Sequence, residues 1–335
     1  MKNNLKNLFI LRSPLQIINA LDAIEHFNLE NNIVVPVYNR SDSNTQQMKK
    51  LLSLGKWEQI IHIEESFKSK FFRYVKIIRA LKKHNYKNIF IGELGIFYKI
   101  VVANTKKEKV FLLDDGTVTM KYYNKFIIHD KYNKYNFREL RFLFAGLKIK
   151  VRDKVNLYTY FDLKPVHGIE VVKNNLNYLK RKYLKDAKKD TSVIYFIGQP
   201  LDDVNVIDVQ MYKKVLENII KMYQKKIVYI PHRSESEKLK QTIASIDNPL
   251  FEVNNLNKSI EMYLLEEKIY PMHIMSFSST ALTTLGMVYE DSQINVIKIP
   301  ENSNNKEYFD NFLREYYNST DQSKIITFKD LGIIK

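Results

Sequence analysis

The chain contains no cysteine among its 335 residues, which excludes disulfides and thiolate zinc sites and makes a reducing cytoplasm its natural compartment. Long apolar runs are absent too. The run at residues 8–11 is far shorter than the apolar region of a signal peptide, and no segment approaches the roughly 20 apolar residues of a spanning helix. There is no Asp-x-Asp triplet, which argues against a metal-dependent diphosphate enzyme. No helix-turn-helix, zinc finger or aromatic RNA-binding signature occurs, and neither does an internal repeat or low-complexity tract. Acidic residues are scarce relative to basic ones, 37 against 53, and the net charge of +16 calls for an anionic partner. Abundant Lys and Asn, as in AT-rich genomes, account for part of that excess.

With 45% hydrophobic and 13% aromatic residues the chain is globular, and its length suits two domains of about 150 residues each. The run 8–11 reads as a buried strand, followed by Arg12-Ser13-Pro14 and an amphipathic helix over 15–27. A strand at 33–37 follows. Helical patterns at 45–54 and 70–84 then alternate with apolar runs at 59–63 and 88–92, and a strand at 110–113 leads into Asp114. From 122 to 183 the pattern turns irregular, aromatic and basic. A second series begins with a strand at 193–197, the loop from Gly198 to Asp203, a helix over 209–223 and a strand at 227–230. It continues with a helix over 236–246, a strand at 251–253, a helix over 259–267 and a strand at 272–277. A helix over 279–289, a strand at 294–299 and a last helix over 306–317 complete it. This alternation predicts an α/β protein of GT-B architecture, two Rossmann-like domains facing a central cleft. The boundaries read as a first Rossmann-like domain at 1–155, an interdomain region at 156–190, a second Rossmann-like domain at 191–318 and a tail at 319–335.

Four motifs fall at strand ends or helix starts. In Tyr229-Ile230-Pro231-His232-Arg233 a β-branched strand stops at a proline and presents a histidine beside an arginine, where open α/β sheets keep their ligands. Asp114-Asp115-Gly116 also follows a buried strand; its glycine permits a sharp turn and a carboxylate there can deprotonate a hydroxyl. The same residues suit a structural Asp-Gly turn or a metal ligand. Ser278-Ser279-Thr280 precedes a helix, where hydroxyls and free N–H groups make either an anion site or an ordinary N-cap. Glu261 starts a helix and suits the ribose hydroxyls of a nucleotide, or simply a solvated first turn.

Taken in order, Asp114-Asp115-Gly116, Pro231-His232-Arg233, Glu261 and Ser278-Ser279-Thr280 resemble the motifs of bacterial GT-B sialyltransferases. The likeness is closest to glycosyltransferase family fifty-two, the lipo-oligosaccharide sialyltransferases. Related motifs occur in the Pasteurella-type multifunctional sialyltransferases and the bacterial polysialyltransferases. The opening Arg12-Ser13-Pro14-Leu15-Gln16-Ile17-Ile18-Asn19-Ala20 is also similar, so the resemblance spans the whole chain through short motifs. It implies Asp115, with Asp114, as base, His232 and Arg233 on the donor phosphate, Ser278 with Ser279 or Thr280 holding that phosphate, and Glu261 on cytidine ribose. One departure is that the family's His-Pro becomes His232-Arg233, with the proline ahead of the histidine.

The implied activity is inverting, metal-independent transfer of sialic acid from CMP-sialic acid to a hydroxyl of a bacterial surface glycan, a lipo-oligosaccharide or capsule. A leaving monophosphate ester requires no divalent metal and no cofactor. Another CMP-nonulosonate, CMP-Kdo or a UDP- or GDP-hexose are the rival donors. A non-catalytic basic protein binding nucleic acid or membrane is the rival outside enzymes. The expected partners are a CMP-sugar and a glycan or glycolipid acceptor, without nucleic acid. The reading also admits a homodimer and peripheral contact with the anionic inner face of the cytoplasmic membrane.

Overall fold

The computed structural model describes residues 5–39, 41–64, 70–129, 131, 137–256, 258–279, 281–314, 317 and 320–334. The chain forms two compact units, Met1–Leu179 and Lys180–Lys335. The first holds β1 (Lys6–Leu11), β2 (Asn32–Tyr38), β3 (Gln59–Ile60), β4 (Ile63–Glu64), β5 (Asn85–Ile91), β6 (Lys106–Leu113), β7 (Val155–Thr159) and β8 (Val171–Lys173). They lie in the order β3-β2-β1-β5-β6-β7-β8, with β4 beside β2, and pair in parallel throughout. The second holds β9 (Lys188–Ile197), β10 (Lys226–Ile230), β11 (Phe251–Val253), β12 (Ile269–Ser276), β13 (Gln293–Lys298) and β14 (Ile325–Thr327). Their order is β11-β10-β9-β12-β13-β14, again all parallel. In both sheets the chain winds outward from its first strand and then reverses, so a switch point opens between β1 and β5 and another between β9 and β12.

Local sequence accounts for most elements. Parallel strands covered on both faces read as continuous apolar runs, and Leu8, Phe9, Ile10 and Leu11 are fully buried. Helix Pro14–His26 starts where Ser13 accepts the Gln16 N–H and a proline takes the first turn. Helix Val209–Tyr223 is capped by Asp208 and stops at Gln224, whose φ of 48° is left-handed.

The structure departs from the sequence reading in four places. Helix Ile96–Asn104 occupies a stretch to which the periodicity assigns nothing, because nearly every one of its side chains is buried and no polar stripe marks it. The supposed interdomain region instead carries β7, at its start, and β8, which extend the first sheet, so that unit runs to Leu179. The supposed tail supplies β14, which pairs with β13. The last helix is a single turn, Lys306–Tyr308, that widens into a π-helical turn at Phe309–Leu313.

Candidate active site

In the first unit Ile10, Ile91 and Leu112 are level across β1, β5 and β6, so the chain leaves all three strands at one height. Gln16 ties two of the exits together: its Oε1 accepts the Arg12 N–H at 2.7 Å and its Nε2 donates to the Gly92 carbonyl at 3.0 Å. A side chain at position 92 would collide with Gln16, which accounts for the glycine. The Arg12 guanidinium reaches Glu93 at 3.3 Å.

The third exit carries the Asp-Asp-Gly motif, and the structure separates its two carboxylates. Asp114 is fully buried, with Oδ1 accepting from the Thr159 hydroxyl and Oδ2 from the Tyr160 N–H, both at 2.7 Å. Asn19 holds the Asp114 carbonyl at 3.0 Å. Asp115 is half-buried and takes a 2.9 Å hydrogen bond from the Ser13 hydroxyl, while its own N–H donates to Thr119 at 3.0 Å. Gly116, at φ 65° and ψ −143°, makes the sharp turn beyond them, in a region essentially open only to glycine. Asp114 is therefore an internal tie to the β7 exit, and Asp115 is the carboxylate that reaches solvent.

Burial pushes the Asp114 carboxyl up to about 7 from its ordinary 3.8, against the pull of its hydrogen bonds from Thr159, Tyr160 and Thr119. The folded protein thus keeps a proton that the unfolded chain has already released, and this contribution to stability is lost as pH rises from about 4 through about 7. Glu235 in the second unit, raised to about 7 by burial, acts in the same direction. Asparagine at position 114 can keep its carbonyl toward Tyr160 and its amide toward Thr159. Urea unfolding at about pH 4.5 and about pH 8 is expected to show a smaller loss of stability in Asp114→Asn than in the wild type. Equal losses would refute the protonated state.

In the second unit Ile230, Ile197 and Ser276 are level across β10, β9 and β12. Past them come His232, Gln199 and Ser278. His232 is half-buried; burial first, then the neighbouring Arg233 charge, lowers its pKa and keeps the ring neutral near pH 7. Its Nδ1 accepts the Ser234 N–H at 3.2 Å, so the ring proton sits on Nε2. Arg233 is exposed. Ser278 is buried and donates to Gln199 Oε1 at 3.2 Å. Ser279 accepts the Ala281 N–H at 3.2 Å, in front of helix Ala281–Val288. Thr280 lies outside the described residues. Glu261 is not a solvated first-turn residue: its Oε1 accepts from Thr284, in the helix that Ser279 precedes, at 2.8 Å.

Sequence reasoning missed the groups beneath these loops. Buried Glu235 accepts the His232 N–H at 2.7 Å and the Tyr229 hydroxyl at 2.9 Å. The Tyr229 and Tyr212 hydroxyls lie 3.2 Å apart, and Tyr212 accepts the Gln199 N–H at 3.0 Å. One buried chain of polar groups therefore fixes the His232 and Gln199 loops together. A Cβ at Gly198 would stand 2.1 Å from Glu235, so only glycine leaves room for it. The sequence signal, in hindsight, is a glycine directly after a strand at the switch point. In the first unit Ser13 and Thr119 were missed as partners of Asp115, since ordinary helix-start residues carry no such mark.

Among the described residues no group of three or more His, Asp and Glu side chains is placed to hold a metal ion, and no helix is long and apolar enough to cross a membrane. Over residues 7–298 the chain matches the family model of the alpha-2,8-polysialyltransferases. No curated protein sequence matches it. Among solved structures, the UDP-GlcNAc 2-epimerase from Methanocaldococcus jannaschii superposes with a TM-score of 0.54 at 14% identity, covering 98% of this chain and 90% of that one. The E. coli heptosyltransferase WaaC with ADP superposes with a TM-score of 0.46 at 11% identity, over 92% of this chain and 99% of that one. The epimerase likeness shows the fold alone, two parallel α/β units of the GT-B type.

Proposed function

Because the chain belongs to the alpha-2,8-polysialyltransferase family and is a glycosyltransferase of the sialyltransferase type, we propose that it moves sialic acid from CMP-sialic acid to a glycan hydroxyl with inversion, Asp115 serving as base. The acceptor class is a bacterial surface glycan, and the family name points to one that already ends in sialic acid. The observation that carries the reading is the polar set at the level ends of β10 and β12: the Nε2–H of neutral His232, the hydroxyl of Ser279, and the hydroxyl of Ser278, which turns from Gln199 to a phosphate when one binds. Such donors suit a phosphate monoester, and Glu261 beside the same helix suits the ribose.

The chemistry is a single displacement. The acceptor oxygen forms a bond to the anomeric carbon as the bond from that carbon to the CMP phosphate oxygen breaks. The acceptor proton passes to Asp115, and the charge left on CMP is met by His232, Ser278 and Ser279. Arg233 adds positive charge near the leaving phosphate. None of these steps calls for a metal ion, so activity is expected to persist in EDTA. Loss on chelation with recovery in magnesium or manganese would instead indicate a diphosphate donor.

The deciding experiment combines a thermal-shift panel of CMP, UDP and GDP with incubation in labelled CMP-sialic acid and sialylated or galactose-terminated acceptors. CMP is expected to raise Tm and label to appear on the glycan. Stabilisation by UDP or GDP alone would assign another sugar donor. Stabilisation by none of them, with salt-sensitive binding to DNA, would overturn the enzymatic site assignment.

A further inference from the structure

The first unit displays five large apolar side chains outward, four on one segment and one on the helix beside it. Phe144 is 93% exposed, Phe137 87% and Phe72 74%, and Leu140 and Leu143 are also exposed. These are not loosely held residues. In the same segment Phe142 is fully buried with its ring 5.0 Å from that of Phe71, and Arg141 lies over both rings. Glu139 is buried in a 2.8 Å ion pair with Lys99, and Arg79 donates to the Ala145 carbonyl at 2.9 Å. Helix Lys70–Leu81 and the Phe137–Phe144 segment are thus clamped side by side through Phe71 and Phe142, with Phe72, Phe137 and Phe144 facing solvent. Core packing would have turned such residues in; a soluble surface would have replaced them.

The two stretches that build this face are strongly basic. Residues 70–84 hold six lysines and arginines and no carboxylate. Residues 137–152 hold five, and their one carboxylate, Glu139, is neutralised inside the protein by Lys99. We propose that this aromatic and basic face of the first unit docks on an anionic lipid bilayer, the phenyl rings entering the headgroup boundary and the cations meeting lipid phosphates. Each half of the arrangement has a counterpart in the bilayer surface: apolar depth for Phe137, Leu140 and Phe144, and negative surface potential for the long basic side chains, whose stems can lie along the apolar boundary. A soluble polyanion or nucleic acid would engage the charges but would gain nothing from exposed leucine and phenylalanine. The inference does not depend on the identity of the sugar donor.

The test is flotation of the full chain with vesicles of phosphatidylglycerol and phosphatidylcholine in equal parts, against vesicles of phosphatidylcholine alone. Wild type is expected to float with the anionic vesicles only. Phe137→Ser/Phe144→Ser, both at exposed positions, should weaken that binding by about tenfold or more while the thermal unfolding curve stays in place. Lys76→Gln/Lys148→Gln/Lys150→Gln should weaken it by roughly fivefold for each charge removed. Wild type that does not float, or that floats as well after the two phenylalanines are replaced, would overturn the proposal. So would a dimer in sedimentation equilibrium that dissociates in the phenylalanine variant without any vesicle binding, since the face would then be an interface between copies. Binding to duplex DNA with the same dependence on both sets of residues, and none to vesicles, would equally reject it.

Discussion

Replacing Asp115 by asparagine is expected to lower the rate of sialic acid transfer by about 100-fold or more, with CMP affinity and unfolding temperature close to wild type. Asparagine keeps the carbonyl that accepts from Ser13 and fills the same space. It loses only the capacity to take the acceptor proton. Folding is spared because Asp115 is half-buried, its backbone N–H keeps the bond to Thr119 whatever the side chain, and an asparagine Oδ1 still accepts from Ser13. CMP binding is spared because the phosphate donors belong to the second unit. Single-turnover transfer measured alongside nucleotide titration separates the outcomes. A variant that turns over near the normal rate removes Asp115 from the mechanism and leaves Asp202 and Asp203, in the loop after Gly198, as the next carboxylates to replace. Asp114 is a weaker successor, since both its oxygens are engaged inside the fold.

His232→Ala, and separately Ser278→Ala/Ser279→Ala, should each weaken CMP binding and slow turnover. A hydrogen bond to a charged group contributes about 1.5 to 3 kcal/mol, so each lost contact to the phosphate is expected to cost about 10- to 150-fold. The serine pair needs a control, because Ser279 also accepts the Ala281 N–H at the start of its helix. Losing such a cap costs on the order of 1 kcal/mol of stability. Ser279→Thr preserves the cap, and with Ser278→Ala it isolates the loss of one phosphate contact. Because neutral His232 acts through its Nε2–H, His232→Asn should recover part of the affinity that His232→Ala loses. Isothermal titration with CMP checks both series; nucleotide affinity unchanged in both would move the donor site elsewhere.

Two of the four sequence motifs, at His232 and at Ser278-Ser279, are brought to level strand ends in one sheet, and Glu261 is drawn to the helix beside them. Their legibility has a simple cause: each sits where an apolar strand stops, and that punctuation is local. The Asp-Asp-Gly motif was legible as a turn, but not in its division of labour. Which carboxylate turns inward depends on Thr159 and Tyr160, 45 and 46 residues further along the chain. Glu235 escaped notice for a similar reason. In sequence it is one more acidic residue near a helix start, and only the approach of Tyr229, His232 and Gly198 makes it a buried keystone of the His232 and Gln199 loops.

The sequence by itself determined the class of this protein. Strands buried on both faces have to be apolar throughout, helices laid over them with one face in water have to be amphipathic, and the alternation of these two patterns leaves parallel α/β units as the outcome. It also marked the strand ends where polar residues interrupt apolar runs, which is where open α/β sheets keep their ligands. Tertiary structure alone decided the strand order, in which β9 lies between β10 and β12, so that Ser278 reaches Gln199 across 79 residues of chain. It alone decided that Asp114 is an internal tie while Asp115 faces solvent, and that Phe137 and Phe144 point outward from a segment whose Phe142 is buried. Contacts of this kind join residues that share no periodicity and no neighbourhood in the sequence. They arise only when packing chooses one partner for each buried polar group and one side of the surface for each ring.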